Sequence, residues 1–131
     1  MDPELRDLFD EYFDQVMMTM PDQVHQLLDQ VTIYVEDHPS KAVMRKMHIG
    51  DRRQLCGLYT GIPLGSRSIE HSGVLSDAVQ IYREGILWLA RDQRGNIDSD
   101  ELRHQIRITV LHELGHHFGM DERQLRELGY G

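Results

Sequence analysis

Apolar side chains recur at helical spacing at both ends of this chain and at alternating or continuous spacing in its middle. Between residues 3 and 18, Leu5, Leu8, Phe9, Tyr12, Phe13 and Val16 fall three or four apart among acidic neighbours, which predicts an amphipathic helix. Pro21 opens a second helical stretch carrying Val24, Leu27, Leu28 and Val31. Val31-Thr32-Ile33-Tyr34-Val35 is β-branched and aromatic and predicts a strand. A turn over residues 36–40 and a short helix over 41–49 follow. Residues 55–60 suit a second strand, with glycine where another backbone or a ligand comes close, and the chain then runs as a loop to residue 76. Ala78–Arg83 alternates and predicts a third strand, exposed at a sheet edge. Ile86–Ala90 reads as a strand or a short helix, and 91–96 as a charged loop.

The last third carries the most complete helix signal. Asp98 and Glu101 form a D-x-x-E capping box, and Ile97 and Leu102 are spaced as a hydrophobic staple. Apolar residues then continue through Ile106, Val110, Leu111, Leu114 and Phe118 until Gly119, which is placed to stop the helix in a left-handed conformation. Asp121 and Gln124 read as a cap for a short helix over 123–128. Two N-terminal helices, a small sheet and a C-terminal helix predict an α+β domain. At 131 residues the chain is long enough for one modest core, so residues 1–131 are expected to form a single domain.

Composition narrows the class. Apolar residues make up 40% and charged residues 27%, as in soluble globular proteins. A formal net charge of −8 without a basic cluster argues against nucleic acid and against anionic membrane surfaces. The start, Met1 to Asp7, lacks the basic and apolar regions of a secretory signal, and the apolar run Ile86–Ala90 is too short for a bilayer. Cys56 is the sole cysteine, so no internal disulfide forms. These features predict a cytoplasmic protein.

The chemistry is concentrated in His112-Glu113-Leu114-Gly115-His116-His117-Phe118-Gly119-Met120-Asp121-Glu122. Residues four apart on a helix lie about 40° apart around its axis, so His112 and His116 can reach one Zn²⁺ from the same face. Glu113 then stands beside the first ligand, where it can take a proton from a metal-bound water. With this chain's composition, a bare H-E-x-x-H arises by chance about three times in a hundred. The added glycine and acidic residue reduce that to about five in ten thousand, which favours the metal site over a core helix with incidental histidines. Glu122, six residues after His116, is the favoured third ligand; Asp121, one residue short of that interval and assigned to a cap, is the alternative. His117 lies about 140° around the helix from His112, which makes it a supporting or surface group and not a ligand.

The stretch from Thr109 to Glu122 resembles the small bacterial minimal zincin-like metallopeptidases. Leu55-Cys56-Gly57-Leu58-Tyr59-Thr60-Gly61-Ile62-Pro63-Leu64 is similar to the second signature of that family, and Leu128-Gly129-Tyr130 also fits. The resemblance covers roughly residue 20 to the end. It implies a minimal zincin-like fold, with a backing helix, a small mixed sheet and an active-site helix. It also implies His112 and His116 as ligands, Glu113 as base, and Glu122 or Asp121 as the remaining ligand. The methionine-containing turn of metzincins has no counterpart after Glu122, so Met44 or Met47 would have to serve in its place.

The expected activity is zinc-dependent peptide hydrolysis, with an open metal position for water and Glu113 as general base. Tyr59, Tyr82, Tyr130, Arg67 and His71 are candidate donors to the oxyanion. An extended peptide or disordered segment is the expected substrate, held by main-chain hydrogen bonds along the Ala78–Arg83 edge. The alternative is a non-catalytic metal-binding or regulatory module that retains the site. A helical interaction protein without metal is a third reading.

Overall fold

Helix α1, Pro3–Met18, starts at a local cap: the Asp2 carboxylate accepts from the Glu4 N–H at 2.9 Å, and Pro3 occupies the first turn, where no N–H partner is needed. The computed structural model describes residues 1–61, 77–127 and 129–130. After α1 come α2 (Asp22–Leu27), β1 (Val31–Glu36), α3 (Lys41–Lys46), a 3-10 turn (Arg52–Gln54) and β2 (Gly57–Thr60). The chain continues with β3 (Asp77–Tyr82), α4 (Arg83–Leu89), α5 (Ser99–His117) and α6 (Glu122–Glu127). The architecture is α+β, as the order of periodic segments predicts. Helix α2 ends at Leu27, and Val31 instead opens β1 in pairing with Asp77.

The sheet is mixed, in the order β1-β3-β2. Strand β1 runs parallel to β3, from Val31 opposite Asp77 to Glu36 opposite Tyr82. Strand β2 runs antiparallel to β3, with Gly57 opposite Ile81 and Tyr59 opposite Val79. The expected edge strand at Ala78–Arg83 is therefore overturned. Residues 77–82 form the central strand, with Val79 and Ile81 fully buried, and among the described residues the edges belong to β1 and β2. Strand order depends on pairing between distant segments, which alternation alone does not encode. Arg83 leaves the sheet to begin α4. Its guanidinium reaches Asp10 on α1 and Asp37 after β1, each at 2.9 Å, and Arg6 reaches Asp37 at 2.6 Å. The ambiguous segment Ile86–Ala90 is thus helical up to Leu89.

Helix α5 lies across one face of the sheet. Leu102, Ile106, Val110 and Leu114, four residues apart, are buried in one cluster with Val79, Ile81, Phe9, Val16 and Ile86. Each fully buried aliphatic side chain contributes about 1.5–3 kcal/mol over an exposed one, so this stripe tethers α5 to the core. Phe118, assigned by spacing to the same stripe, is instead 48% exposed as the helix C-cap. Among the described residues, no helix is long and apolar enough to cross a membrane.

Candidate metal centre

Both ends of α5 are fixed by local chemistry. At its start the Asp98 carboxylate accepts from the Asp100 N–H at 3.0 Å and the Glu101 N–H at 3.1 Å. Glu101 does not complete the reciprocal box. Its carboxylate accepts from Gln105 Nε2 at 2.6 Å, and the Asp98 N–H goes to Ala90 O at 2.8 Å. At its end Gly119 adopts φ 80°, with its N–H on His116 O at 2.9 Å and the Met120 N–H on Gly115 O at 3.1 Å. This paired arrangement satisfies two otherwise orphaned carbonyls and turns the chain back across the helix.

The returning chain brings Glu122 to the two imidazoles. Glu122 Oε2 lies 3.3 Å from His112 Nε2, and Oε1 lies 3.2 Å from His116 Nε2. The opposite ring nitrogens face main-chain carbonyls: His112 Nδ1 is 2.6 Å from Tyr130 O, and His116 Nδ1 is 3.1 Å from Met120 O. A carbonyl only accepts, so Nδ1 carries the hydrogen in both rings and Nε2 keeps its lone pair in the neutral imidazole. His112, Glu113 and His116 offer ligand atoms that all lie within 4.8 Å of one another. Asp121 is occupied elsewhere: its carboxylate accepts from the Gln124 N–H at 2.8 Å, and Gln124 Oε1 accepts from the Asp121 N–H at 2.9 Å. That is a reciprocal cap on α6.

Glu113 faces the sheet. It is 8% exposed, and its Oε1 accepts from the Tyr59 N–H on β2 at 3.0 Å, while Oε2 lies 3.9 Å from His112 Nε2. Gly57 makes this approach possible. A Cβ there would lie 2.9 Å from Thr109 Cγ2 and 3.0 Å from Glu113 Cγ. Burial pushes the Glu113 carboxyl above its ordinary range; His112, His116 and the Tyr59 N–H oppose that shift, and Glu122 adds to it.

Residues 28–131 match the family model of the zincin-like metallopeptidases. The chain belongs to that family. No curated protein matches it significantly. The match spans β1 to the chain end, so the sheet, α5 and α6 of this zincin-like metallopeptidase all fall inside it.

Beside His112 and His116, the zincin-like chain holds a buried polar link through His117, which is a supporting group and not a surface one. His117 is 1% exposed, and its Nδ1 makes a close contact with Asp77 Oδ2, on a residue itself 2% exposed. The Tyr59 hydroxyl donates to the same Asp77 oxygen at 2.8 Å, and His117 Nε2 lies 3.3 Å from Gln30 Oε1. His117 is therefore a core residue tying α5 to the start of β3 and, through Asp77, to β2. It belongs to a polar stripe of α5. Thr109, Glu113 and His117 are four residues apart, and all three are buried.

The cleft beside the histidines has a volume of about 820 Å³ and lies between β2 and α5, with Met47, Leu89, Ile108 and Met120 among its walls. Tyr59 and Tyr130 border it, whereas Tyr82 is buried, its phenol pushed up to about 12 chiefly by burial, and does not line it. Arg67 and His71 lie outside the described residues. Cys56 also borders the cleft; burial, with Glu113 nearby, pushes its thiol up to about 11, which disfavours the thiolate. The carbonyls of Met120 and Tyr130 escape sequence reasoning because a backbone acceptor carries no residue-type signal.

Proposed function

We propose that the chain is a zinc-dependent peptidase whose metal is held by His112, His116 and Glu122 and whose general base is Glu113. The observation that carries this reading is the pairing of both Nε2 atoms with the two oxygens of one carboxylate, while each ring commits its Nδ1–H to a carbonyl. Metal-binding histidines are typically oriented in this way, and two imidazoles with one carboxylate suit zinc. Asp121, committed to the α6 cap, is less available than Glu122. When bound, zinc supplies Lewis acidity, polarising a carbonyl and making water easier to deprotonate.

Glu113 takes the proton from the attacking water and returns it to the leaving amine. The Tyr59 N–H holds one of its oxygens and leaves the other directed toward His112. A carboxyl raised by burial is better matched to proton transfer near neutral pH than an exposed one. Tyr130 is the described tyrosine we assign to the oxyanion, since the Tyr59 hydroxyl is committed to Asp77 and Tyr82 lies outside the cleft. The substrate is an extended peptide or disordered segment lying along β2, not along β3. Cys56 turns its carbonyl to the Tyr82 N–H, so Leu58 and Thr60 also face β3 and Gly57 faces away from it. The lone, half-buried Cys56 suits a cytoplasmic location.

Zinc content and peptide cleavage test this reading together. Protein prepared without a histidine tag should hold about one zinc, and His112→Ala or His116→Ala should abolish stoichiometric binding. Glu113→Gln should keep zinc while hydrolysis of an unstructured peptide library falls about 100-fold or more. Zinc lost along with activity in Glu113→Gln would give Glu113 a different role. Identical cleavage products from Glu113→Gln and the unsubstituted protein would leave a non-catalytic metal-binding module.

A further inference from the structure

Helices α5 and α6 end in the same backbone arrangement. At the end of α6, Gly129 adopts φ 85°, its N–H donates to Arg126 O at 3.0 Å, and the Tyr130 N–H donates to Leu125 O at 2.9 Å. This repeats the bonding made by Gly119 and Met120 at the end of α5. In each turn the residue after the glycine aims its carbonyl at one imidazole, Met120 O at His116 and Tyr130 O at His112. Helix α6 is anchored beneath this pair by Leu125, which is fully buried over Gly115; a methyl group on Gly115 would overlap Leu125 Cδ2. Leu125 follows Glu122 by three residues, so seating one on α5 brings the other toward the histidines.

Resting on the assignment of His112, His116 and Glu122 as zinc ligands, we propose that Gly129 is a positioning residue whose left-handed turn aims the Tyr130 carbonyl at His112, so that α6 and its closing turn dock on the site as one zinc-linked unit. The Nδ1–H bond fixes which ring nitrogen is free and how the ring is rotated, and removing such a partner typically costs 10- to 100-fold in metal affinity. Gly129 isolates this effect. A Cβ added there meets no atom within 4 Å, so alanine changes only the preference of the backbone for positive φ. Gly95, in the turn between α4 and α5, is a matched control, with φ 83° and equally open space.

The test is zinc affinity by competition with a chromophoric chelator, read beside thermal stability of the metal-free proteins. Gly129→Ala should weaken zinc binding about 10-fold or more, equivalent to about 1.4 kcal/mol. Gly129→Asn should recover most of that loss, because asparagine tolerates the left-handed region. Gly95→Ala should lose comparable stability yet bind zinc within about twofold of the unsubstituted protein, since its turn presents no carbonyl to the site. Zinc should also protect α6 from proteolysis in the unsubstituted protein and less so in Gly129→Ala. If Gly129→Ala does not fold, Gly129→Asn against Gly95→Asn carries the same comparison. Affinity unchanged in the Gly129 variant, or lost equally in both, overturns the inference while leaving the ligand assignment intact. Failure of the unsubstituted protein to bind zinc overturns the assignment and the inference together.

Discussion

Replacing His117 by leucine removes one partner of a buried contact while keeping a side chain of similar bulk in the core. Asp77 would then keep its carboxylate in a nearly solvent-free position, with the Tyr59 hydroxyl still donating to it but without the imidazole. Leaving a buried hydrogen-bonding group without one of its partners costs about 1–3 kcal/mol, because that group cannot recover its hydration. Because Asp77 presents a carboxylate, the expected loss lies at the upper end, about 3 kcal/mol, with the Tyr59 bond retained. With about 2.1 cal/mol/K per residue, 131 residues give an unfolding entropy of about 0.28 kcal/mol/K, so this loss lowers Tm by about 11 °C. Total stabilities of about 5–15 kcal/mol make that a large fraction. Urea unfolding in excess chelator measures it without a contribution from metal binding. Asp77→Asn should relieve the penalty, making His117→Leu cheaper in that background by about 1.5 kcal/mol or more. Additivity of the two substitutions within about 0.5 kcal/mol would refute the pairing.

The two acidic residues after Gly119 should separate cleanly. Glu122→Ala should weaken zinc binding sharply, whereas Asp121→Ala should keep zinc and lose about 1 kcal/mol of stability from the α6 cap; chelator competition and urea midpoints would show the reverse pattern if Asp121 were the ligand. Asp37 should set part of the acid sensitivity. Its hydrogen bond from Arg6 holds its carboxyl below the ordinary range against the opposing effect of burial, and Arg83 adds to the lowering. Its stabilisation is thus present above the unfolded value of about 4 and lost as pH falls through the lower folded value. Asp37→Asn should lower stability at pH 7 and flatten the decline below pH ~4; equal declines in the two proteins would remove Asp37 from the account.

The features legible in the sequence are those written in a few neighbouring residues. Asp98 marks the start of α5 and Gly119 its end, because a cap and a left-handed glycine act over three or four positions. The same holds for the Asp121–Gln124 cap and for β1, whose β-branched run needs no distant partner to be recognised. The order of the strands was not legible. Ala78–Arg83 has the alternation of a half-exposed strand, yet β1 and β2 flank it on both sides, and neither pairing is encoded locally. Gly57 is intermediate: its presence in a strand signals close approach, but only the fold shows that Thr109 and Glu113 are what approaches.

Helix α5 explains why His117 is a buried supporting group and not a surface one, and how so short a chain brings the candidate site together. The helix is divided into stripes of residues four apart. Leu102, Ile106, Val110 and Leu114 pack into the core, while His112 and His116 face the cleft. Between them, Thr109, Glu113 and His117 are buried against β2 and β3 through Gly57, Tyr59 and Asp77. A reading that equates polar with exposed sends this third stripe to solvent, because periodicity measures hydrophobicity and these residues are buried by pairing. The pairing also has a mechanical consequence. The Tyr59 N–H on Glu113 and the Asp77 carboxylate on His117 bracket the turn of α5 that carries His116, so Glu113 and His116 are set against the sheet by the same two contacts. A helix held only by its apolar stripe could rock about that line. Polar partners on the adjacent stripe oppose the motion, which places the accuracy of the site in the sheet as much as in the motif itself.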